Sequence, residues 1–206
     1  MAGKFIVIEG IDGSGKGSQM KLLASYLFEK SKDNHIFVTR EPYHSKYYGE
    51  LRAILQKNRD PNESAELFLE MFVKDRRFHA EIMARYLEDG HQVLCDRYKY
   101  STVAFQRAQG VPLEKILKLH EGLLVPDLTV IIDVPVAVAL GRIQKAGRSH
   151  KEVFEEERFL EKVRKNYAEI PSIFPRERII IVDGNKTPEA VLASYQGEVD
   201  KLFAKL

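Results

Sequence analysis

The sequence predicts an α/β protein in which a five-stranded, mostly parallel sheet lies between two layers of helices. Five short runs of apolar and β-branched residues occur along the chain, at 5–8, 36–39, 92–95, 128–132 and 178–182. Longer segments with helical spacing alternate with them, at 17–30, 64–88, 112–121, 136–146, 155–169 and 188–203. Alternating strands and helices build βαβ units, which form parallel sheets covered on both faces.

The strand-like runs are apolar throughout instead of alternating with polar residues, which is typical of strands buried on both faces. The first run is stopped by Glu9, and charged residues also follow the second and third runs, at Arg40 and Asp96. Ligands of parallel α/β sheets gather at the carboxyl ends of the strands. We therefore expect the functional residues to lie directly after these runs.

Composition bounds the class of protein. The chain has 206 residues, 44% of them hydrophobic and 30% charged, with a formal net charge of +2 and one cysteine. This length suits a single domain over residues 1–206, because no repeat or linker marks a boundary. The near-neutral charge argues against binding of nucleic acid through bulk basicity. A lone cysteine forms no intrachain disulfide, which favours a reducing, cytoplasmic setting.

The longest apolar stretch covers 128–140 and is interrupted by Asp133 and Pro135. It is also much shorter than the roughly 20 residues that a membrane-spanning helix needs. We therefore expect no membrane partner.

A glycine-rich loop follows the first strand and precedes the first helix. From Gly10 to Lys16 it has the spacing G-x-x-x-x-G-K of a P-loop. Such a loop directs its backbone N–H groups at phosphate oxygens, and the helix amino terminus adds partial positive charge. The alternative is a glycine-rich turn with an incidental lysine. The predicted ATP-binding residues of this segment are Gly10, Ile11, Asp12, Gly13, Ser14, Gly15, Lys16, Gly17 and Ser18.

The loop departs from the usual pattern at one position. The residue after the lysine, commonly Ser or Thr, is Gly17, and the hydroxyl comes one residue later at Ser18. In many P-loop proteins the first hydroxyl binds Mg²⁺ directly. Here we expect that contact to come from Ser18 or through water.

Other motifs narrow the class of P-loop protein. A GTPase would need a guanine-reading Asn-Lys-x-Asp, but the single candidate, Asn185-Lys186-Thr187, ends in Pro188. A motor or transport ATPase would show a strand ending in Asp-Glu or an added domain. The sequence has neither, so it favours a small phosphotransferase.

Two further strands are followed by an arginine. Arg40 follows the second strand and Arg97 the third, at the same sheet edge as the glycine loop. Guanidinium groups bind phosphate oxygens in a bidentate manner, so a second phosphate is predicted there. Taken singly, each arginine is as well explained by pairing with the neighbouring Glu41 or Asp96. The two together favour a ligand.

The segment 64–88 carries two stripes at helical spacing. One is predicted to pack in the core and consists of Leu67, Met71, Phe78 and Ile82. The other mixes aromatic and charged side chains and consists of Phe68, Phe72, Arg76 and His79. A pocket that stacks a base on Phe72 and holds its phosphate with Arg76 would use both residues. The alternative is a core Phe72 and a solvated Arg76.

Together these motifs resemble the thymidylate kinases, P-loop enzymes that phosphorylate dTMP to dTDP with ATP. The resemblance covers residues 5 to about 167. Its parts are the loop with Asp12, Thr39-Arg40-Glu41-Pro42, Phe72-x-x-x-Arg76, Asp96-Arg97-Tyr98 with Ser101-Thr102, and Pro126-Asp127-Leu128-Thr129 before Asp133. It implies a three-layer P-loop nucleoside monophosphate kinase fold with a short lid near 147–154. It also implies Mg²⁺ as a cofactor, ATP as phosphoryl donor and a homodimer.

The resemblance implies how dTMP is recognised. Phe72 is expected to stack on thymine, and Arg76 with Ser101 or Thr102 to contact the edge of the base.

The sugar has its own expected contacts. Asp12 is expected to accept the 3′-hydroxyl, and Phe105 to crowd the 2′ carbon and reject ribonucleotides. The alternatives are a turn-forming Asp12 and a core Phe105.

The resemblance also implies the residues at the transferring phosphates. Arg40 and Arg97 are expected to hold the acceptor phosphate, and Asp96 to lie near Mg²⁺ and the transferring group. Ser18 is a further candidate for the metal, and Glu9 is expected to assist it through water. The alternative for Asp96 is a simple ion pair with Arg97.

Transfer between two phosphates needs little covalent help, because the acceptor phosphate is already ionised near neutral pH. Catalysis then consists of positioning and of neutralising charge on the moving group. The predicted catalytic residues outside the lid are Lys16, Asp96 and Arg97.

In the family that the sequence resembles, an additional cation comes either from an arginine within the P-loop or from a mobile lid. The interior of this glycine loop contains no arginine, so the resemblance implies a cation from the lid. The candidates are Arg148 and Lys151 for catalysis, and Arg142 for ATP binding. A typical bacterial lid has Asp-Arg where this chain has His150-Lys151, so the acting cation stays open between the candidates. The alternative is a solvated basic loop.

Two other functions remain possible from the sequence. One is a kinase for another monophosphate such as dUMP, dCMP or AMP, since one methyl group on a base is worth only about 1–3 kcal/mol. The other is a nucleotide-binding switch that transfers nothing.

Overall fold

A computed structural model describes residues 3–57, 64–146 and 156–204. These ranges contain five strands, β1 (Phe5–Glu9), β2 (Ile36–Arg40), β3 (Gln92–Asp96), β4 (Leu128–Asp133) and β5 (Ile179–Asp183). They form one sheet in the order β2-β3-β1-β4-β5, and all four pairings are parallel. The predicted three-layer α/β fold is confirmed.

The described ranges also contain eight helices. They are α1 (Lys16–Lys30), α2 (Tyr48–Lys57), α3 (Ala65–Glu88), α4 (Lys99–Ala108), α5 (Leu113–Leu119), α6 (Val136–Lys145), α7 (Glu157–Ile173) and α8 (Pro188–Phe203). None of them combines the length and the apolar composition needed to traverse a bilayer. The sequence analysis had no helix at α2 or α4, and it ended α7 before Pro171, which lies inside its last turns.

The sheet separates two hydrophobic cores. In β1, Phe5 and Val7 join the core on the side of α3, α4 and α7, whereas Ile6 and Ile8 join the core beneath α1 and α8. Successive side chains of a strand point to opposite faces, so Glu9 faces the same side as Phe5 and Val7. A carboxylate is thereby placed beneath α4.

The expectation of strands buried on both faces is correct only for the middle of the sheet. All β1 residues are buried, but Val38 in β2 is 49% exposed and Ile181 in β5 is 44% exposed. Both belong to edge strands, where the helical layers do not cover the whole surface.

The predicted core stripe of α3 is correct only in part, since Met71 is buried and Ile82 is half-buried, whereas the other two positions are exposed. Leu67 and Phe78 are each 40% exposed, and the buried set includes Phe68, Arg76 and His79 instead. The helix therefore turns its mixed aromatic and charged stripe inward. It does so because Arg76 and His79 find hydrogen-bonding partners there.

Candidate active site

The glycine loop is shaped by close packing. Gly10, Gly13 and Gly15 all have positive φ, at 141°, 78° and 102°. A Cβ atom on Gly13 would lie 2.3 Å from the carbonyl oxygen of Ala139 in α6. Only glycine combines this conformation with that approach. The loop therefore lies tightly between the end of β1 and α6, with the amino terminus of α1 behind it.

Lys16 is buried at the start of α1. Its Nζ donates to the carbonyl oxygens of Gly10 and Ile11 at 3.1 and 3.0 Å, and lies 4.0 Å from Asp12 Oδ1. Burial lowers the pKa of Lys16 to about 8, and the nearby Arg97 charge acts in the same direction. The charged form of Lys16 is therefore less favoured inside the loop than in water, and a bound anion would stabilise it.

Arg97 lies at the centre of the site. Its φ of 73° is left-handed, which is uncommon for a residue with a side chain. The Nη2 atom donates to Asp12 Oδ1 at 2.8 Å, and Nη1 donates to the hydroxyls of Ser101 at 3.0 Å and Tyr167 at 3.3 Å. Burial alone would lower the pKa of Arg97, but carboxylates including Asp12 raise it. This guanidinium stays charged.

Glu9 is fully buried and accepts four hydrogen bonds. Its oxygens accept from the backbone N–H groups of Tyr98 and Ser101 at 2.7 and 3.1 Å, and from the Ser101 and Tyr167 hydroxyls at 2.7 and 2.8 Å. Burial raises the pKa of Glu9, while the Arg97 charge and the hydrogen bonds oppose that rise. Glu9 therefore caps α4 and positions the hydroxyls around Arg97.

Asp96 has an unused oxygen beside the loop. The Oδ1 atom of Asp96 and the hydroxyl of Ser14 are buried, and neither has a hydrogen-bond partner among the described residues. Ser18 is exposed in the first turn of α1. Carboxylate and hydroxyl oxygens are the hard ligands that Mg²⁺ prefers. An orphaned carboxylate oxygen next to a phosphate-binding loop therefore fits a divalent cation.

Among the described residues, three potential metal ligands converge at Glu41, His79 and Cys95. The Glu41 carboxylate already accepts from Arg76 at 2.6 Å and contacts His79 at 3.2 Å. The Cys95 thiol donates to the Arg97 carbonyl oxygen at 3.0 Å, and burial raises its pKa well above the ordinary value. This cluster is a hydrogen-bonded ion pair, not a second metal site.

The inward stripe of α3 contains a buried arginine. Phe72 is half-buried, and its ring lies 6.1 Å from that of Phe68. Arg76 is only 2% exposed, so the alternative of a solvated Arg76 was wrong. Its Nη1 atom donates to Thr102 Oγ1 at 2.8 Å, which brings α3 and α4 together. Phe72, Arg76 and Thr102 therefore belong to one corner of the molecule.

Phe105 lies one turn further along α4 than Ser101. It is 7% exposed, and the Arg97 guanidinium lies over its ring at 5.1 Å from the centroid. Tyr167 meets the same ring edge-on at 6.4 Å. The aromatic rings of Phe105 and Tyr167 are therefore both next to the Arg97 guanidinium.

Arg40 ends β2 and is exposed. Its Cα pairs in register with that of Asp96, so the two residues occupy the same sheet edge. Glu41 follows Arg40, and its backbone N–H donates to the Asp96 carbonyl oxygen at 2.9 Å. The carboxyl ends of β1, β2 and β3 thus present the glycine loop and both arginines together.

The comparison with known families agrees with this geometry. The sequence model described as "Thymidylate kinase" matches residues 8–194 of the chain. The chain belongs to the thymidylate kinase family. The predictions of this family, of its fold class and of a nucleoside monophosphate kinase are thereby confirmed.

Several curated thymidylate kinases are similar to the chain. "Thymidylate kinase" of Citrifermentans bemidjiense is 39% identical over 196 residues, covering 89% of this chain and 85% of the relative. "Thymidylate kinase" of Nitrosomonas eutropha is 34% identical over 206 residues, covering 98% and 94%. "Probable thymidylate kinase" of Pyrococcus abyssi is 35% identical over 187 residues, covering 87% and 88%.

Within this thymidylate kinase fold, the remaining predicted residues divide between two places. Arg142 of α6 donates to the carbonyl oxygens of Ser14 at 3.3 Å and Gly184 at 3.0 Å, and so it lies against the glycine loop. The predicted lid at 147–154 lies outside the described residues, and so do its cations Arg148 and Lys151.

The sequence analysis missed three residues of this thymidylate kinase site. Tyr167 of α7 contacts both Glu9 and Arg97, and His79 and His120 line the buried arginine network. The inward stripe already contained His79, so its spacing was a usable signal. No local pattern marks Tyr167 or His120, because their partners are distant in sequence.

Proposed function

We propose that this protein transfers the γ-phosphoryl group of ATP to dTMP and releases ADP and dTDP. The observation that carries the proposal is the ion pair of Arg97 Nη2 with Asp12 Oδ1 at 2.8 Å. It joins the end of β3 to the glycine loop after β1. A cation for an acceptor phosphate therefore lies beside the loop for the donor. Membership of the thymidylate kinase family supports dTMP as the acceptor.

ATP binds at the glycine loop. Backbone N–H groups of the glycine loop and the amino terminus of α1 receive its phosphates. Lys16 leaves the carbonyl oxygens of Gly10 and Ile11 and turns its charge to the outer phosphates. Arg142 holds the loop from the side of α6, which supports its role in ATP binding.

Residues of the glycine loop segment and the end of β3 would hold Mg²⁺. Asp96, with its orphaned oxygen, and Ser18 are the groups that would hold it, directly or through water. When bound, the ion neutralises charge on the donor phosphates during transfer. Glu9 contributes by positioning: four protein donors surround its carboxylate, so any influence on the metal passes through water or through Ser101.

The phosphate of dTMP binds to the arginines at the sheet edge. Arg97 is pre-positioned by Asp12, Ser101 and Tyr167, so little side-chain entropy is lost when the phosphate arrives. Arg40 is exposed at the same edge and adds a second guanidinium. Both groups then stay close to the transferring phosphoryl group.

Sugar and base bind along α3 and α4. Asp12 accepts the 3′-hydroxyl, and Phe105 fills the space in which a 2′-hydroxyl would lie. The thymine ring stacks on Phe72, while Arg76 contacts its edge. Arg76 supports this assignment, because its Nη2 atom has no acceptor among the described residues and can donate to a carbonyl oxygen of the base.

Chemistry at the site requires no general base. The acceptor oxygen of dTMP is ionised, so the protein has to align two phosphates and neutralise the charge between them. Arg97 supplies a fixed positive charge, and Lys16 supplies a second one when ATP is bound. The lid residues Arg148 and Lys151 add further positive charge at the transferring group. All of these residues belong to a single domain over residues 1–206.

The protein functions as a homodimer. Leu67, Phe78 and Tyr86 on α3 are each at least 36% exposed. Tyr86 also stacks on Phe37 of β2 at 4.1 Å, so these residues form one apolar surface. A second copy that packs α3 against α3 would cover it.

A coupled assay of ADP release tests the substrate assignment. With ATP and Mg²⁺ present, dTMP, dUMP, dCMP and AMP are compared as acceptors by kcat/KM. We expect the order dTMP, dUMP and then dCMP, with AMP lowest. AMP as the best acceptor would overturn the proposal, and tight ATP binding without turnover on any acceptor would favour a switch.

A further inference from the structure

His120 is a buried histidine to which the proposed transfer reaction assigns no role. It follows α5, directly after Leu119, and is 7% exposed. Its Nδ1 atom lies 2.7 Å from the carbonyl oxygen of Ile116, and its Nε2 atom lies 2.6 Å from Arg76 Nη1. The imidazole thus bridges the last turn of α5 and the buried guanidinium.

The partners of His120 determine which nitrogen carries the proton. A carbonyl oxygen only accepts, so Nδ1 carries hydrogen and donates to Ile116. A guanidinium only donates, so the Nε2 lone pair accepts from Arg76. Burial and the positive charge of Arg76 lower the pKa of His120 to about 3. The ring is therefore neutral throughout the range in which enzymes work.

Three acceptors fix the Arg76 guanidinium. Nε donates to Glu41 Oε2 at 2.6 Å, and Nη1 donates to both Thr102 Oγ1 at 2.8 Å and His120. Glu41 is itself held by His79 at 3.2 Å. Among the described residues, Nη2 has no hydrogen-bond acceptor, so its donors remain for a ligand.

Charge balance does not require His120. Glu41 already neutralises Arg76, and a neutral imidazole adds no charge to the pair. It adds direction, because a lone pair that accepts from Nη1 at 2.6 Å on the α5 side opposes reorientation of the guanidinium group. Without it, Nη1 would keep only Thr102, a hydroxyl that can rotate.

We propose that His120 is a positioning residue for base selection: its lone pair holds Arg76 so that the Nη2 donors face the nucleobase. This inference rests on the proposed role of Arg76 at the base. A pyrimidine with a carbonyl oxygen at the contacted edge accepts from Nη2, whereas one with an amino group presents a second donor and is rejected. The selected ligand is therefore a 4-oxo pyrimidine monophosphate.

The test compares His120→Leu with His120→Gln, whose amide oxygen can accept from Arg76. We measure kcat, KM for dTMP, KM for ATP and the ratio of kcat/KM between dTMP and dCMP. For His120→Leu we expect KM for dTMP to rise about tenfold and the ratio to fall about tenfold, because hydrogen bonds to charged groups are strong. KM for ATP and kcat should change less than about threefold. His120→Gln should restore most of the selectivity.

His91→Leu serves as the matched control. His91 is a partly buried histidine directly before β3, at the amino ends of the strands, whereas the proposed site lies at their carboxyl ends. Its variant should therefore leave the four parameters unchanged. Thermal unfolding of every variant separates lost stability from lost selectivity. If His120→Leu does not fold, His120→Asn replaces it, because its shorter amide does not reach Arg76. The Asn variant should then lose the selectivity that Gln retains.

Two results would overturn the inference. One is a folded His120→Leu or His120→Asn with unchanged KM for dTMP and an unchanged dTMP/dCMP ratio. The other is an equal loss in the Gln and Leu variants that appears in kcat and the unfolding temperature alone. Arg76→Ala is measured alongside them. If it leaves use of dTMP unchanged, the proposed base site itself fails; if it alone has an effect, only the role of His120 fails.

Discussion

At the scale of single residues, the site holds its cations in different ways. Arg97 is surrounded by a carboxylate and two hydroxyls and stays charged, whereas Lys16 is buried against carbonyl oxygens and has a pKa of about 8. A carbonyl dipole compensates a charge less than a carboxylate does. Lys16 is therefore the group whose protonation responds to an incoming anion.

Proton uptake on ATP binding follows from the low pKa of Lys16. Near pH 8 about half of the free protein carries a neutral Lys16, and bound phosphates favour the charged form, so binding takes up a fraction of a proton. Affinity for ATP should accordingly fall as pH rises above about 8. Calorimetric titration in two buffers with different ionisation enthalpies measures the uptake.

Lys16→Arg is the control for this measurement, because arginine stays protonated in both states. We expect the excess uptake of the wild type over this variant to be clear at pH 8 and smaller at pH 7. Equal uptake by both proteins at pH 8 would show that Lys16 is already fully charged before ATP binds.

The sequence identifies residues whose role depends on nearby positions. Gly10 to Lys16 form one loop, so their spacing alone predicts phosphate binding. Tyr167 reaches Glu9 across 158 positions, and no local pattern can contain such a contact. The two alternatives posed for Asp96 also required the structure, since Arg97 pairs with Asp12 and leaves an Asp96 oxygen without a partner.

At the scale of elements, α4 is a helix that its own sequence does not predict and that tertiary contacts stabilise. It begins among aromatic and hydroxyl residues with weak helix propensity and has no side-chain cap of its own. Its amino terminus is capped by Glu9 of β1 instead. The prediction failed for α4 because the stabilising group lies in another element.

Replacing the cap should destabilise the fold. Glu9→Ala leaves two backbone N–H groups and two hydroxyls without their buried acceptor, at a cost of about 3 kcal/mol or more in the free energy of unfolding. Urea denaturation followed by circular dichroism measures this change.

Glu29→Ala on the exposed face of α1 is the matched control. Its carboxylate is exposed and accepts from the Ser25 hydroxyl at 2.9 Å, so we expect a change below about 0.5 kcal/mol. A loss of less than about 1 kcal/mol for Glu9→Ala would contradict the capping role.

For α3, the sequence predicts the helix but not which of its faces points to the core. Its apolar residues occupy two faces, and spacing cannot tell which face meets the core. Arg76 and His79 are buried because Glu41, Thr102 and His120 provide hydrogen bonds for them, whereas Leu67 and Phe78 remain on the surface. Polar partners therefore decided the orientation of the helix.

At the scale of the whole molecule, that exposed face of α3 should be the contact between two copies. Phe78→Glu places a charge in the centre of the apolar surface, so we expect it to shift the protein from dimer to monomer. Sedimentation velocity at several concentrations measures the change.

Phe28→Glu is the control for the dimer. Phe28 is 62% exposed on α1, on the opposite face of the sheet. This variant should remain dimeric. A wild-type protein that sediments as a monomer at micromolar concentration would contradict the proposed homodimer.

The most direct test of the two facing phosphate sites is single-turnover transfer of a labelled γ-phosphoryl group from ATP to dTMP. We expect the label in dTDP, with transfer slowed about a hundredfold by Arg97→Ala and unchanged by Arg107→Ala, which removes a surface arginine of α4 paired with Glu169. Label released as free phosphate, or transfer to dTMP that is insensitive to Arg97→Ala, would contradict the account.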